Sequence, residues 1–158
     1  MNLYLVRHAK AEFASGKKAD SERELTTEGI TILRNTIEVW KNYLFKVDFI
    51  ITSPVLRAVQ TAEHIKNNFA FPSDILKEHL LQPGAESSDF LQIVKTHKSE
   101  NLILVGHQPD LSNAISSFLG YDNFNIPFKP ASIAKISFDG RPAPGRGFLE
   151  ILIPPVIK

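Results

Sequence analysis

Short apolar runs alternate along the chain with segments in which apolar residues recur every three or four positions. Uninterrupted runs of this kind are typical of strands that are buried on both faces of a parallel sheet, and the longer spacing is typical of an amphipathic helix. Strands that alternate with helices predict an α/β fold with a largely parallel sheet. The runs place the predicted strands at residues 2–6, 48–52, 75–76 and 101–105.

Four segments carry both the apolar periodicity and the end signals of helices. In the first of them, apolar residues recur from Ile30 to Leu44 at spacings of three and four. Gly120 is placed to end the last helix, because glycine adopts the left-handed conformation at a helix C-terminus without strain. The start signals of the four helices, which are N-capping side chains or a proline of the first turn, are Thr26, Ser53-Pro54, Ser87 or Ser88, and Pro109-Asp110.

Two further apolar segments, 132–138 and 147–153, are joined by a loop that is rich in glycine and proline. Strands joined in this way predict an antiparallel hairpin, which we place at one edge of the sheet. The chain shows no low-complexity stretch and no linker between its elements. We therefore expect one domain over residues 1–158.

Composition limits the classes of function that the chain can have. Its 158 residues suit one domain with a self-sufficient core. It has no cysteine, which excludes disulfides, cysteine-ligated zinc and a cysteine nucleophile. A net charge of +1 and the lack of a long apolar run argue against binding to nucleic acid or to a membrane. The N-terminus lacks the pattern of a signal peptide, so we expect a cytoplasmic protein.

Two of the predicted strands end in the same way. Residues 2–8 read NLYLVRH and residues 101–107 read NLILVGH, so each strand is followed by a histidine, His8 or His107. Ligands of open α/β sheets bind at the carboxyl edge of the strands. If both strands are central and parallel, the two imidazoles project into one crevice.

Two arginines accompany these histidines. Arg7 directly precedes His8, and Arg57 falls in the first turn of the second predicted helix, where backbone N–H groups and the helix dipole favour an anion. Because guanidinium groups pair with phosphate oxygens, the set predicts a site for a dianionic phosphoryl group. We expect the other basic residues of loop 9–23 to be solvated, although a lysine near the mouth could steer an anionic substrate; they are Lys10, Lys17, Lys18 and Arg23.

An ordered series of motifs resembles the histidine phosphatase superfamily. The short length of the chain, and Ala9 where many relatives have glycine, are most similar to the SixA-type phosphohistidine phosphatases. The resemblance implies a phosphoglycerate-mutase-like fold, which is a three-layer α/β/α sandwich with a mostly parallel central sheet and an antiparallel edge strand. The motifs are Leu5-Val6-Arg7-His8-Ala9-Lys10, Leu25-Thr26-Thr27-Glu28-Gly29, Ser53-Pro54, Arg57-Ala58, Gln60-Thr61 and Val105-Gly106-His107.

The same resemblance implies a role for each of four catalytic residues. His8 would be the nucleophile that attacks phosphorus and forms a phosphohistidine intermediate, which water then hydrolyses. Arg7, Arg57 and His107 would bind the non-bridging oxygens of the substrate and stabilise the charge of the transition state. The scheme needs no metal and no cofactor, because fixed cations take the part that magnesium has in other phosphoryl-transfer enzymes. A partner such as a backbone carbonyl would fix the tautomer of His8.

The sequence offers one possible general acid. Relatives that cleave phosphate esters protonate the leaving group with a carboxylic acid from the segment after the third strand, and Glu78 is the carboxylate near that place. Glu86 and Asp89 are expected instead to begin the next helix. A missing acid suits a phosphoramidate, whose nitrogen can leave with a proton from solvent or one already on the ring. The segment 69–101 is also too short for the helical lid of longer relatives, and an open site suits a phosphorylated protein.

We therefore expect a metal-independent phosphohistidine phosphatase that acts, as a monomer, on a phosphorylated protein. Two alternatives remain open at this stage. One is a phosphatase for small phosphate monoesters, in which Glu78 serves as the acid. The other is a phosphate-binding module without turnover. A zinc site made of histidines has less support, since the five histidines show no ligand spacing on a helix.

Overall fold

Six strands form one sheet in the computed structural model, which describes residues 1–16, 18–44, 46–72, 74–122 and 124–157. The strands are β1 (Asn2–Arg7), β2 (Phe49–Thr52), β3 (Ile75–Lys77), β4 (Asn101–Gly106), β5 (Ile133–Ser137) and β6 (Phe148–Ile153). Their order across the sheet is β3-β2-β4-β1-β5-β6. All four strands predicted from the apolar runs, and both strands of the hairpin, are present.

β1 and β4 lie side by side at the centre of the sheet. They pair in parallel, from Asn2 opposite Asn101 to Arg7 opposite Gly106. β2 is parallel to both of its neighbours, β4 and β3, whereas β5 runs antiparallel to β1 and to the edge strand β6. The parallel sheet with an antiparallel hairpin at its edge is therefore confirmed. The strand that reverses direction is β5, which lies one position inside the edge.

Among the described residues, four α-helices cover the two faces of the sheet. Two of them pack on one face and two on the other, each pair over its own apolar core. None of the helices in the described part of the chain is both long and apolar enough to cross a membrane. The first pair is α1 (Thr27–Trp40) and α2 (Leu56–Phe69), and the second pair is α3 (Ser87–Thr96) and α4 (Asp110–Leu119).

The alternation of side chains along β1 explains why there are two cores. Successive residues of a strand point to opposite faces of the sheet. Leu3 and Leu5 therefore pack in the core under α3 and α4, whereas Tyr4 and Val6 pack in the core under α1 and α2. A strand that is apolar at every position is buried on both faces, which gives the three-layer sandwich that the sequence predicts.

Two helices begin at residues other than the predicted ones. α2 begins at Leu56 instead of at the proline, because the Ser53 hydroxyl accepts the N–H of Val55 at 3.3 Å and holds a turn before the helix. α3 is capped by Glu86 instead of by a serine, since the carboxylate of Asp89 accepts the N–H of Glu86 at 2.8 Å in a capping box. Arg57 still falls in the first turn of α2.

The other helix ends are close to prediction. The Thr26 hydroxyl caps α1 by accepting the N–H of Gly29 at 3.0 Å, and Gly120 ends α4 in the left-handed conformation with φ 81°. α1 ends at Trp40, however, and Leu44 lies directly after the turn 41–43 that follows. Leu44 is nevertheless buried, so its apolar character reflects packing against the core and not membership of the helix.

The start of α1 packs tightly against the loop that follows β1. The N–H of Thr26 donates to the carbonyl of Lys10 at 3.0 Å. A Cβ atom at Gly29 would collide with that same carbonyl oxygen. Glycine is therefore required at position 29 for this close approach, which fixes the chain two residues beyond His8.

Gly29→Ala should destabilise the fold. Alanine favours a helix over glycine by about 1 kcal/mol, but the obstructing atom belongs to the backbone, and overpacking of this kind costs about 1–3 kcal/mol. We expect a lower midpoint of urea unfolding. Gly140→Ala is the matched control, because nothing lies within 4 Å of its added Cβ. A Gly29→Ala variant as stable as this control would contradict the close approach.

Candidate active site

The four predicted site residues meet at the carboxyl edge of the sheet. His8 and His107 directly follow β1 and β4, and their ring centroids are 5.1 Å apart. Arg7 ends β1, and Arg57 lies in the first turn of α2 with only 4% of its surface exposed. All four line one cavity of about 340 Å³. The central parallel pair of strands thus brings these side chains into a single crevice.

Two hydrogen bonds fix the ring of His8. Its Nδ1 lies 2.7 Å from the carbonyl oxygen of Ala9, and its Nε2 lies 3.3 Å from Nε of Arg57. A carbonyl oxygen only accepts and a guanidinium only donates, so Nδ1 carries the proton and Nε2 carries the lone pair. The backbone carbonyl expected to fix the tautomer is that of Ala9, the next residue in the chain. Nε2 is therefore the nucleophilic atom of this ring.

Both imidazoles are neutral at pH 7. Burial, followed by the charges of Arg57 and Arg7, lowers the pKa of His8 from 6.5 to about 4, against the opposing effect of the Ala9 carbonyl. Burial, followed by repulsion from His8 and Arg57, lowers the pKa of His107 from 6.5 to about 3. The neutral ring is the form that can attack phosphorus. Burial among cations therefore keeps His8 in its nucleophilic form even in moderately acidic solution.

The ring nitrogens of His8 should report this state directly. In two-dimensional ¹⁵N–¹H NMR spectra at pH 7 we expect His8 as the neutral Nδ1–H tautomer, because the Ala9 carbonyl requires a donor. Its titration midpoint should lie below pH 5, since burial opposes the charged ring. The urea-unfolded chain is the control, in which histidines titrate near their ordinary value of about 6.5. A folded-state midpoint near that value, or a proton on Nε2, would contradict this assignment.

A buried threonine of α2 supports the backbone next to His8. The Thr61 hydroxyl accepts the N–H of Ala9 at 3.1 Å and donates to the carbonyl of Arg57 at 2.7 Å. Thr61 and Ala9 are both fully buried. Because the Ala9 carbonyl holds Nδ1 of His8, this one hydroxyl links the helix that carries Arg57 to the position of the nucleophile.

Thr61→Val should reduce activity by more than its effect on stability explains. Valine leaves the buried N–H of Ala9 without an acceptor, which costs about 1–3 kcal/mol. Thr36→Val is the matched control, because its buried hydroxyl likewise donates to a carbonyl one turn earlier and accepts a backbone N–H, that of Val156. We expect similar losses of unfolding free energy in both variants but slower phosphatase turnover only in Thr61→Val. Equal turnover in the two variants would contradict the link.

Arg7 and His107 are held by contacts of their own. Nη1 of Arg7 donates to the carbonyl of Phe128 at 2.8 Å, whereas its Nε is buried and has no hydrogen-bond partner among the described residues. Nε2 of His107 lies 2.9 Å from the Ser53 hydroxyl, and its Nδ1 is likewise buried without a partner in the described part of the chain. Buried polar nitrogens normally have partners, so each of these two nitrogens has a hydrogen bond left to donate or accept.

The structure does not bring Glu78 into the cavity. The Glu78 carboxylate accepts the N–H of Leu80 at 3.2 Å and caps the 3₁₀ turn His79–Leu81. Glu78 is not among the residues that line the cavity with His8. The reason is the pairing of β3 with β2, which continues into a hydrogen bond from the N–H of Glu78 to the carbonyl of Thr52. Glu78 is therefore not placed as the acid that the sequence suggested.

Two charged residues that sequence patterns did not assign to the site lie beside Arg57. Asp20 accepts from both terminal nitrogens of Arg57, through its backbone carbonyl at 2.8 Å and its carboxylate at 3.1 Å. Arg23 lines the same cavity as His8. The expectation that Arg23 is a solvated charge is wrong, because its side chain is only 21% exposed and is bound to Asp20. A pair of opposite charges three residues apart is common on protein surfaces, so its spacing carries no signal of a site.

The two described lysines of loop 9–23 are paired at the surface. Lys10 bonds to Glu28, and Lys18 bonds to Glu12 and Glu24. Lys17 lies outside the described residues. Within the described ranges no group of three or more histidine, aspartate or glutamate side chains could hold a metal ion.

The chain is similar to known proteins over much of its length. The model of the histidine phosphatase superfamily (branch 1) matches residues 3–81, which is half of the chain. An uncharacterized protein of Picosynechococcus sp. is 31% identical over 136 residues, which cover 84% of this chain and 82% of that protein. The chain belongs to the histidine phosphatase superfamily.

Within the superfamily, the chain is similar to SixA proteins. It is 26% identical over 144 residues to the phosphohistidine phosphatase SixA of Escherichia coli, with 88% of this chain and 86% of that protein covered. The solved structure of the protein histidine phosphatase SixA complexed with tungstate has a TM-score of 0.81 at 23% identity, over 98% of this chain and 97% of that one. These findings confirm the phosphoglycerate-mutase-like fold and the SixA-like assignment, and they support phosphatase activity.

Proposed function

We propose that this chain removes the phosphoryl group from phosphohistidine on a protein, through a phosphohistidine intermediate on His8. The observation that carries the proposal is the orientation of His8, whose Nδ1–H is bound to the Ala9 carbonyl and whose Nε2 faces Arg57. A neutral nucleophile surrounded by guanidinium groups suits attack on a phosphoryl dianion. The similarity to SixA, a protein named as a phosphohistidine phosphatase, supports the same class of substrate.

In the first step, the lone pair on Nε2 of His8 forms a bond to phosphorus while the bond from phosphorus to the substrate's imidazole nitrogen breaks. The electron pair of the broken bond stays on that nitrogen, and the substrate leaves as neutral imidazole when its far nitrogen already carries a proton. His8 then holds the phosphoryl group on Nε2 and keeps its proton on Nδ1. The Ala9 carbonyl, 2.7 Å from Nδ1, stabilises this cationic ring.

In the second step, water attacks phosphorus and the bond to Nε2 of His8 breaks. The electron pair returns to Nε2, the proton lost by water passes to solvent, and inorganic phosphate leaves. Arg7, Arg57 and His107 bind the non-bridging oxygens in both steps and stabilise the charge of each transition state. These fixed groups take the part of a metal ion, so we expect turnover to continue in the presence of a chelator.

The carboxylates near the cavity favour a phosphohistidine substrate over a phosphate ester. An alkoxide leaving group needs a proton from a carboxylic acid. The hydrogen bond from Lys18 holds the pKa of Glu12 below its usual range. Burial raises the pKa of Asp20, but the bonds and charges of Arg23 and Arg57 outweigh burial and hold this pKa below its usual range. Both carboxylates are ionised at neutral pH, whereas protonated phosphohistidine brings its own proton.

The mouth of the cavity is suited to a protein substrate. Phe13 lines the cavity and has 87% of its surface exposed. The helix α3 packs with α4 over the core on one face of the sheet, and none of its residues lines the cavity. The cavity is therefore not covered by α3 and is open to a phosphorylated side chain of another protein. Exposed aromatic residues such as Phe13 are enriched at protein interfaces.

Incubation with a phosphohistidine-bearing protein labelled with ³²P should leave an alkali-stable, acid-labile label on this chain. His8→Ala should lose both the label and turnover by at least about 1000-fold, because it removes the ring nitrogen that is proposed to carry the phosphoryl group. Lys66→Ala, which removes a surface charge on α2 far from the cavity, is the control and should keep both. Single-turnover quench measurements give the rates.

Three outcomes would contradict the proposal. Turnover by His8→Ala at the normal rate would remove His8 as the nucleophile. Phosphate binding without release of any product would indicate a binding module. Faster hydrolysis of phosphoserine or nitrophenyl phosphate than of phosphohistidine would indicate an ester phosphatase. We expect Glu78→Gln to leave the rates with all these substrates unchanged, because Glu78 does not line the cavity. Slower ester hydrolysis in this variant would instead assign Glu78 as the acid.

A further inference from the structure

We propose that Arg23 is a further residue that binds the phosphoryl group, and that Asp20 positions it beside Arg57. The proposal rests on the function proposed above, since it adds a third guanidinium to the same site. The observation behind it is a bridge: one carboxylate, that of Asp20, contacts both guanidiniums at the wall of the cavity that holds His8.

The geometry of the bridge fixes both arginines. Oδ2 of Asp20 accepts from Nη2 of Arg57 at 3.1 Å, and the Asp20 backbone carbonyl accepts from Nη1 at 2.8 Å. Oδ1 of the same carboxylate accepts from Nε and Nη2 of Arg23 at 2.9 and 2.6 Å. The two guanidiniums are therefore held next to one another with Nε of Arg57 directed at Nε2 of His8.

A second contact keeps Arg23 at the cavity. Its Nη1 donates to the carbonyl of Glu12 at 2.6 Å, and Glu12 lines the cavity too. With bonds to Asp20 on one side and to Glu12 on the other, the side chain is fixed and its exposed fraction falls to 21%. A guanidinium has five N–H groups, so Arg23 retains donors for a phosphoryl oxygen.

The charge at the cavity also requires a third cation. His8 and His107 are neutral at pH 7, and Asp20 offsets the charge of Arg57. The two arginines Arg7 and Arg57, together with the negative Asp20, have a net charge of about +1. A bound phosphoryl group carries about −1.5 to −2 at pH 7, so this net charge would not balance it. Arg23 restores two positive charges. The other charged residues of the cavity wall, Lys10 and Glu12, each have an opposite partner at the surface.

The first test is the affinity for inorganic phosphate, measured by titration calorimetry. Arg23→Ala should weaken binding about 10- to 100-fold, the effect of losing one charged hydrogen-bonding group. Arg23→Lys should recover little of this loss, because an ammonium cannot bridge Asp20 and an oxyanion with a planar fork. Lys41→Met is the control, since it removes a positive charge that pairs with Glu38 at the surface and does not line the cavity, and it should change binding less than about threefold.

The second test concerns Asp20 as a positioning residue. Asp20→Asn removes a negative charge, so phosphate should bind at least as tightly as before. Turnover should nevertheless fall by about tenfold or more, because the two guanidiniums are no longer held in the geometry that the transition state needs. A purely structural role would weaken binding and turnover together. An unchanged turnover number in Asp20→Asn would overturn the positioning role.

Phosphate binding separates this proposal from the proposed function, because it does not depend on turnover. Arg23→Ala binding phosphate as tightly as Lys41→Met would overturn the role of Arg23, whatever the substrate proves to be. Full recovery of affinity by Arg23→Lys would also overturn it, since a general charge would then suffice. Circular dichroism and the thermal unfolding midpoint check that each variant is folded.

Discussion

The in-register parallel pairing of β1 with β4 is the constraint on which the site depends. It sets Arg7 opposite Gly106. The residues that directly follow the two strands, His8 and His107, therefore lie next to each other at the same edge of the sheet. The apolar runs of both strands hold this register, because a slip by one residue would exchange the side chains of the two cores. The same edge of the sheet receives the first turn of α2, and with it Arg57.

Burial gives the site its chemistry as well as its shape. Removing two imidazoles from water beside guanidinium groups lowers the pKa of His8 to about 4 and that of His107 to about 3. The nucleophile therefore stays neutral while the arginines, whose pKa values burial also lowers, keep their charge. The charge lost from the histidines has to come from elsewhere. We propose that a third arginine, Arg23 on the loop after β1, supplies the positive charge that the two neutral histidines lack.

Much of the fold was predictable because it follows from local patterns. The repeated NLYLVRH and NLILVGH segments placed both histidines at strand ends, and the apolar spacing of the helices located Arg57 near a helix start. The places of Asp20 and Arg23 were not predictable in this way. Their loop has no apolar periodicity, and its shape depends on hydrogen bonds to residues distant in sequence, such as Arg57. That Glu78 lies outside the lining of the cavity was not predictable either, because its position depends on how far β3 pairs with β2.

In the proposed reaction, Nε2 of His8 accepts the phosphoryl group while the surrounding cations bind its oxygens. A crystal structure with orthovanadate tests this most directly, since vanadate adopts the five-coordinate geometry of phosphoryl transfer. We expect vanadium to be bonded to Nε2 of His8, with Arg7, Arg57 and His107 on its equatorial oxygens. Vanadate bound elsewhere on the chain, or bonded to a different side chain in this cavity, would contradict it.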